Sequence, residues 1–280
     1  GGTEGFDHDV DETAPHTGGL LARAYFVGTT HETLMTDMKG LTSDCRWRLE
    51  VVPATPSSRE PIRISWNLAV PDPAKVLYLQ RLRGELAKGF PKDLRQSGSL
   101  YVDEPTSFEL VYALPERRPI ELLAGWNLIG NPLISSQSIG HIMNNRRGII
   151  AGASQIWRWQ SGGYHSQAGG SPLVPELAYW AFSLENGIST DVVGVRADGV
   201  VVLKQGWNLL SPVFDIEEEV AAGIIERYGP VWDWLEASQR YEQLPAGGSF
   251  EAGNGYWIYL PNSTPVAIRL TPDFVGWWPP

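Results

Sequence analysis

The chain has 280 residues, 42 % hydrophobic and 19 % charged, with a net charge of −10. It is long enough for two domains with their own cores and too apolar for a disordered chain. The 8 basic and 15 acidic residues over 119–280 argue against binding to nucleic acid, which needs clustered Lys and Arg, and no apolar run approaches the ~20 residues that cross a bilayer, so no membrane insertion is expected.

Residues 1–18 read as an extended polar leader. Asp7, Asp9 and Asp11 place carboxylates at alternate positions, an oxygen-rich pattern that suits calcium. The EF-hand spacing fails here, because its sixth and twelfth positions hold Glu12 and Gly18. A solvated acidic leader is the simpler reading, and calcium is the one cofactor left open. The Gly1-Gly2 start reads as an expression scar, so the lack of a signal peptide carries no information on secretion.

Residues 19–116 read strand after strand. Leu21 to Val27, Arg46-Trp47-Arg48-Leu49-Glu50-Val51, Ile62 to Leu68, Lys75 to Leu79, Ser99 to Val102 and Ser107 to Tyr112 are short alternating or apolar runs. Prolines such as Pro53, Pro61, Pro71 and Pro105 fall between them. Six or seven such strands predict an immunoglobulin-like β-sandwich. The lone Cys45 reads as a small buried apolar residue near Trp47. Leu114 to Pro119, with two prolines and a charge cluster, is expected to be a hinge.

Residues 117–280 state one pattern twice, over about 121–199 and 200–272. Gly125-Trp126-Asn127-Leu128 returns as Gly206-Trp207-Asn208-Leu209, Trp157-Arg158-Trp159 as Trp232-Asp233-Trp234, Tyr164 as Tyr241, and Ala178-Tyr179-Trp180 as Gly255-Tyr256-Trp257. The offsets are 81, 75, 77 and 77, so order is kept while loops differ. Such a duplication predicts a pseudo-twofold β-rich domain with short helices, its two copies packed as one because a single copy buries too little apolar surface. In copy one a helix is expected between Ser135 and Arg147, carrying Ile139, Ile142 and Met143. In copy two Asp215 is expected to cap a helix whose apolar face holds Val220, Ile224 and Ile225. Ala197-Asp198-Gly199 is expected to close a hairpin between the copies.

The aromatic residues are the candidate binding groups. Trp157 with Trp159, and Trp232 with Trp234, are two apart, so each pair shares one strand face. They read either as a stacking platform for sugar rings or as the core shared by the copies, with core the stronger reading. Trp126 and Trp207 read as core, so that Trp207→Ala is expected to unfold the whole repeat domain. Tyr179-Trp180 and Tyr256-Trp257 are adjacent, so one ring of each pair is expected inward and the other outward. Tyr179, Trp180, Tyr256, Trp257, Trp159 and Trp234 are therefore the positions expected to touch a ligand, if there is one.

Both halves resemble modules that recur in large secreted and surface proteins of bacteria. In the first half the marks are Gly5-Phe6-Asp7 with Asp11, Trp47-Arg48-Leu49, Ile64-Ser65-Trp66, Val76 to Leu79, Asp93-Leu94-Arg95 and Phe108-Glu109-Leu110. It is similar to immunoglobulin-like modules near the ends of such chains. The second half resembles repeats built on Gly-Trp-Asn-Leu, Trp-x-Trp and a closing Gly-Tyr-Trp, from which Ala178 departs in copy one. The resemblance implies an extracellular or cell-surface accessory region whose partners are the other domains of a longer protein.

No catalytic pattern stands out. The five His form no zinc spacing, no Gly-x-Ser-x-Gly elbow is present, and the Gly-rich stretches lack the Lys of a phosphate cradle. A non-enzymatic structural or adhesion module is the expected function, with glycan binding through exposed Trp and Tyr as the alternative.

Overall fold

A computed structural model describes residues 12–13, 22–27, 33–36, 45–53, 61–67, 72–82, 91–144, 156–245, 247–261 and 264–270. The chain is mainly β and divides into two compact units, Gly1–Pro115 and Glu116–Pro280. Asp7, Asp9 and Asp11 lie outside the described residues.

In the first unit the strands are β1 (Glu12–Thr13), β2 (Ala22–Val27), β3 (Thr33–Thr36), β4 (Cys45–Pro53), β5 (Ile62–Trp66), β6 (Val76–Leu82), β7 (Lys92–Asp93), β8 (Gly98–Val102) and β9 (Thr106–Ala113). Seven of them form one sheet in the order β1-β3-β2-β4-β9-β6-β7, and β5 pairs with β8 as a separate ribbon. Along β5, half-buried Ile62, Ile64 and Trp66 alternate with exposed Arg63 and Ser65, as a strand with one wet face requires. That apolar face packs with Leu100 onto a cluster holding Cys45, Leu77, Leu79, Val102, Phe108 and Tyr112. Cys45 sits in this core beside Trp47.

The second unit contains two copies of one motif. Copy one runs β10 (Glu116–Leu122), β11 (Gly125–Gly130), β12 (Leu133–Ile134), α1 (Ile139–Asn144), β13 (Ile156–Gln160), β14 (Gly163–Ser166), β15 (Ala178–Ser183) and β16 (Ile188–Arg196). Copy two runs β17 (Val200–Leu203), β18 (Gly206–Leu210), α2 (Glu218–Tyr228), β19 (Val231–Leu235), β20 (Arg240–Gln243), β21 (Tyr256–Leu260) and β22 (Val266–Arg269). Each copy builds a four-stranded antiparallel sheet of the same order, β11-β15-β13-β14 and β18-β21-β19-β20. Each also closes its first strand on its last, β10 on β16 and β17 on β22.

Each sheet is covered on both faces along its inner strands, while the outer strands β14 and β20 are exposed. One face of the first sheet, through Ile129, Ile156 and Tyr179, packs on Ile139, Ile142 and Met143 of α1. The matching face of the second sheet, through Leu210, Val231, Tyr256 and Ile258, packs on Ala221, Ile224 and Tyr228 of α2. The opposite faces meet each other in a cluster of Leu128, Ala178, Trp180, Leu209 and Trp257. The layers therefore run helix, sheet, sheet, helix.

Three local expectations are corrected. The division between the two units falls within the expected hinge at Leu114 to Pro119, after Pro115, but the rest of that segment is strand, because β10 pairs with β16 from Glu116 to Leu122. Pro119 is tolerated there since β10 is an edge strand, and Arg196 Nη2 holds the Glu116 carboxylate at 2.6 Å. The expected hairpin at Ala197-Asp198-Gly199 is instead a turn that passes the chain between copies, since β16 and β17 each pair within their own copy. Asp215 does not cap α2: its Oδ1 accepts the Ala252 N–H at 2.8 Å, and the helix starts after Glu217, which makes no side-chain cap. Glu218 and Glu219 in the first turn still complement the helix dipole.

Candidate functional site

The Gly-Trp-Asn-Leu motif is a turn clamp. Gly125 and Gly206 take φ values of 101° and 90°, a region that disfavours side chains, where the chain enters β11 and β18. Asn127 Oδ1 accepts the Leu123 N–H at 2.8 Å, and its Nδ2 donates to the Leu123 and Gly125 carbonyls at 2.9 and 3.0 Å. Asn208 repeats the pattern on Lys204 and Gly206, at 2.8, 2.7 and 2.9 Å. Because Asn127 is buried, Asn127→Ala leaves backbone groups without partners and is expected to cost about 1–3 kcal/mol, read as a lower urea midpoint. Asn208→Ala, at a more exposed turn, is expected to cost less.

Between the sheets lies an aromatic seam in which corresponding residues of the two copies make matching contacts. Trp180 packs edge-on against Trp234 at 4.8 Å, and Trp257 against Trp159 at 5.1 Å. The polar atom of every indole in this quartet is used. Trp180 Nε1 donates to the Tyr164 hydroxyl at 3.3 Å and Trp257 Nε1 to the Tyr241 hydroxyl at 3.1 Å. Trp234 Nε1 donates to the Trp126 carbonyl at 2.8 Å and Trp159 Nε1 to the Trp207 carbonyl at 3.2 Å, each across the copies. On the helix sides, the Tyr179 and Tyr256 hydroxyls accept the N–H groups of Val174 and Glu251, both at 2.9 Å. Burial raises the pKa of both phenols, so they stay neutral.

The expectation that one ring of each Tyr-Trp pair faces outward is therefore corrected. Tyr179 and Tyr256 are 0 % and 2 % exposed, and Trp180 and Trp257 are 8 % and 7 %. The sheets have a core on each side, so adjacent residues enter two different cores. Trp159 and Trp234 are half-buried in the seam. Trp126 and Trp207, expected in the core, lie at the seam's rim with 38 % and 48 % exposure. They lean edge-on against Phe182 and Tyr259, at interplanar angles of 66° and 64°. These tilted pairs do not form the flat platform on which a sugar ring stacks.

Asp233, between the seam-facing Trp232 and Trp234 and so on the helix side of β19, carries the most strongly raised carboxyl among the described residues of this unit. Burial pushes its carboxyl up to about 6, against a 2.7 Å hydrogen bond from the Trp234 N–H, and Glu236, Glu251 and Glu242 add repulsion. The folded chain thus holds this proton more tightly than the unfolded chain. Stability contributed by this group falls as pH rises from about 4 to about 6 and is level above that. Asp233→Asn is expected to gain about 1 kcal/mol at neutral pH, after allowance for partial exposure, and nothing near pH 4. Urea midpoints at the two pH values test this, and an equal gain at both would contradict it.

The copies differ at one edge. The β13–β14 turn of copy one has two residues, Ser161-Gly162, between the paired Gln160 and Gly163. The β19–β20 turn of copy two has four, Glu236 to Gln239, between Leu235 and Arg240. This longer turn seals the outer edge of β11. Gln239 Oε1 accepts the Trp126 N–H at 2.8 Å, and its Nε2 donates to the Trp126 carbonyl at 2.9 Å. Burial raises the Glu236 carboxyl, while the Leu128 N–H donates to it and lowers it. Gln239 and Glu236 carry no motif. The only sequence signal for them is the offset change from 75 to 77 between the paired Trp and the following Tyr.

Among the described residues no group of three His, Cys, Asp or Glu side chains is placed to hold a metal ion. No protein-family model matches the chain, and neither a curated protein nor a solved structure is similar to it at a significant level.

Proposed function

We propose that the chain is a non-enzymatic structural or adhesion module of a larger secreted or cell-surface protein, an immunoglobulin-like sandwich followed by the duplicated domain. One observation carries this reading. The groups the two copies share are spent on structure: Asn127 and Asn208 clamp their own turns, Tyr179 and Tyr256 fill their own helix-side cores, and Trp159, Trp180, Trp234 and Trp257 join the copies. Motif residues that build a scaffold rather than a reaction centre fit a unit whose work is presentation. Glycan binding is the weaker reading, because the six aromatic residues best placed for it lie within the seam or the helix-side cores.

The test is saturable binding of the intact chain to arrays of glycans and of extracellular proteins, with product analysis of whatever binds. Retention of an unchanged partner supports an adhesion module. Conversion of a bound compound, abolished by a single side-chain substitution, overturns it.

A further inference from the structure

We infer that the outer edge of β18, at Trp207 and Leu209, is a docking site for an extended peptide segment of a partner protein. The inference rests on a comparison the molecule makes with itself. On β11 the outward groups of Trp126 and Leu128 are all satisfied: the Gln239 carboxamide and the Trp234 indole hold Trp126, the Glu236 carboxylate takes the Leu128 N–H, and the Leu128 carbonyl accepts the Gly255 N–H. On β18 the same positions are Trp207 and Leu209. The Trp207 carbonyl points outward, since it accepts the Trp159 indole across the copies. On an antiparallel strand the N–H of that residue points the same way.

Apart from the Trp159 indole on the Trp207 carbonyl and the Leu177 segment bridged to Leu210, no described group takes the place of Gln239 at this edge. A Cβ built on Gly125 would meet the Gln239 side chain at 2.7 Å, whereas one built on Gly206 meets no atom within 4 Å. Gly162, which stands where copy two has Gln239, also faces open space. The turn that would carry a seal is two residues shorter, so copy one has no side chain with the reach of Gln239 or Glu236.

The internal seal also specifies what fits. It supplies an acceptor and a donor to one residue and an acceptor to the residue two further along. A single secondary amide cannot do this, because its N–H and C=O point in opposite directions. An extended peptide can: one of its residues exchanges both bonds with Trp207, and the carbonyl two residues away reaches the Leu209 N–H. The site is short. Ser211 N–H already donates to the Glu176 carbonyl at 2.9 Å, which closes the strand beyond Leu210. The half-exposed rings of Trp207 and Tyr259 offer one apolar contact beside it. This deepens the adhesion reading and fails separately from it, since a partner bound elsewhere on the chain would spare that reading.

The test is selection of a displayed random heptapeptide library on the intact chain, with counter-selection on a variant whose Ser161-Gly162 turn is replaced by the copy-two turn Glu-Ala-Ser-Gln. Gly162→Gln, which places a carboxamide at the matching position, is the second variant should the graft not fold. Selected peptides are expected to bind the native chain at least about tenfold more tightly than the sealed variant. They are also expected to slow amide exchange at Trp207 and Leu209. Peptides that bind both forms equally, protection confined to other strands, or no enrichment over counter-selection would each overturn the site.

Discussion

Trp180→Ala is expected to unfold both copies of the repeat in one transition, at a cost of about 3–5 kcal/mol. Trp180 touches Trp126 at 6.1 Å, Trp234 at 4.8 Å and Tyr241 at 6.1 Å, so two of its three ring contacts belong to the other copy. Its loss opens a cavity lined by the seam cluster and leaves the Tyr164 hydroxyl without its indole donor. Neither copy can refill the space alone, because each sheet's second face is already committed to its own helix. Amide exchange resolved by copy measures the effect: protection should fall together in β13–β15 and in β19–β21. If copy two stayed protected while copy one opened, the seam would not be a shared core. Trp207→Ala, at the rim, is expected to cost only about 1 kcal/mol, since half of that ring is never removed from water. The exposure of Trp207 thus overturns the expectation that this residue anchors the domain.

The contrast between Trp180 and Trp207 shows what was legible in the residues. Period-two alternation assigns faces, and it correctly places Trp157 with Trp159 and Trp232 with Trp234 on one side. It cannot say whether the other side of a sheet meets solvent or a second sheet. That depends on strands of the other copy, which is why one ring of each Tyr-Trp pair reads as outward although both rings of each pair are buried. Chain order likewise marks Trp126 as the start of a strand, but only the folded chain shows that this start lies at the rim. Apolar spacing suffices to mark the helices, whereas the Asp215 side chain answers to Ala252, which comes from a distant loop that local spacing does not reveal. The candidate edge was least legible. Its cause is a two-residue difference in a turn, and its meaning appears only once the opposing strands are paired.

The two copies are also expected to resist being made identical, and the Gly130/Ser211 pair tests this most directly. Residues on a twofold axis meet their own equivalents. Here Gly130 meets Ser211, so that a Cβ on Gly130 would fall onto the Ser211 side chain, and Gly255 meets Ala178, where a Cβ on Gly255 would lie 2.8 Å from the Ala178 Cβ. In each meeting one copy carries a side chain and the other carries none. The backbones are held close by reciprocal bonds across the axis, including Gly130 N–H to the Gly253 carbonyl and Ser211 N–H to the Glu176 carbonyl, so the strands cannot simply part. Gly130→Ser is therefore expected to cost about 1–3 kcal/mol by overpacking. Ser211→Gly alone should cost about 1 kcal/mol, through chain entropy and a small void. The double variant exchanges the two side chains and should recover most of the loss, giving a coupling of about 1–3 kcal/mol in a four-member cycle of urea denaturation. A double variant no more stable than Gly130→Ser would show that something other than the axis contact keeps position 130 small. The same geometry constrains any chain assembled from one copy repeated: two of the first would set alanine against alanine, and two of the second serine against serine. The departure of Ala178 from glycine is thus one half of a complementary pair, and divergence between the copies is a condition of their packing.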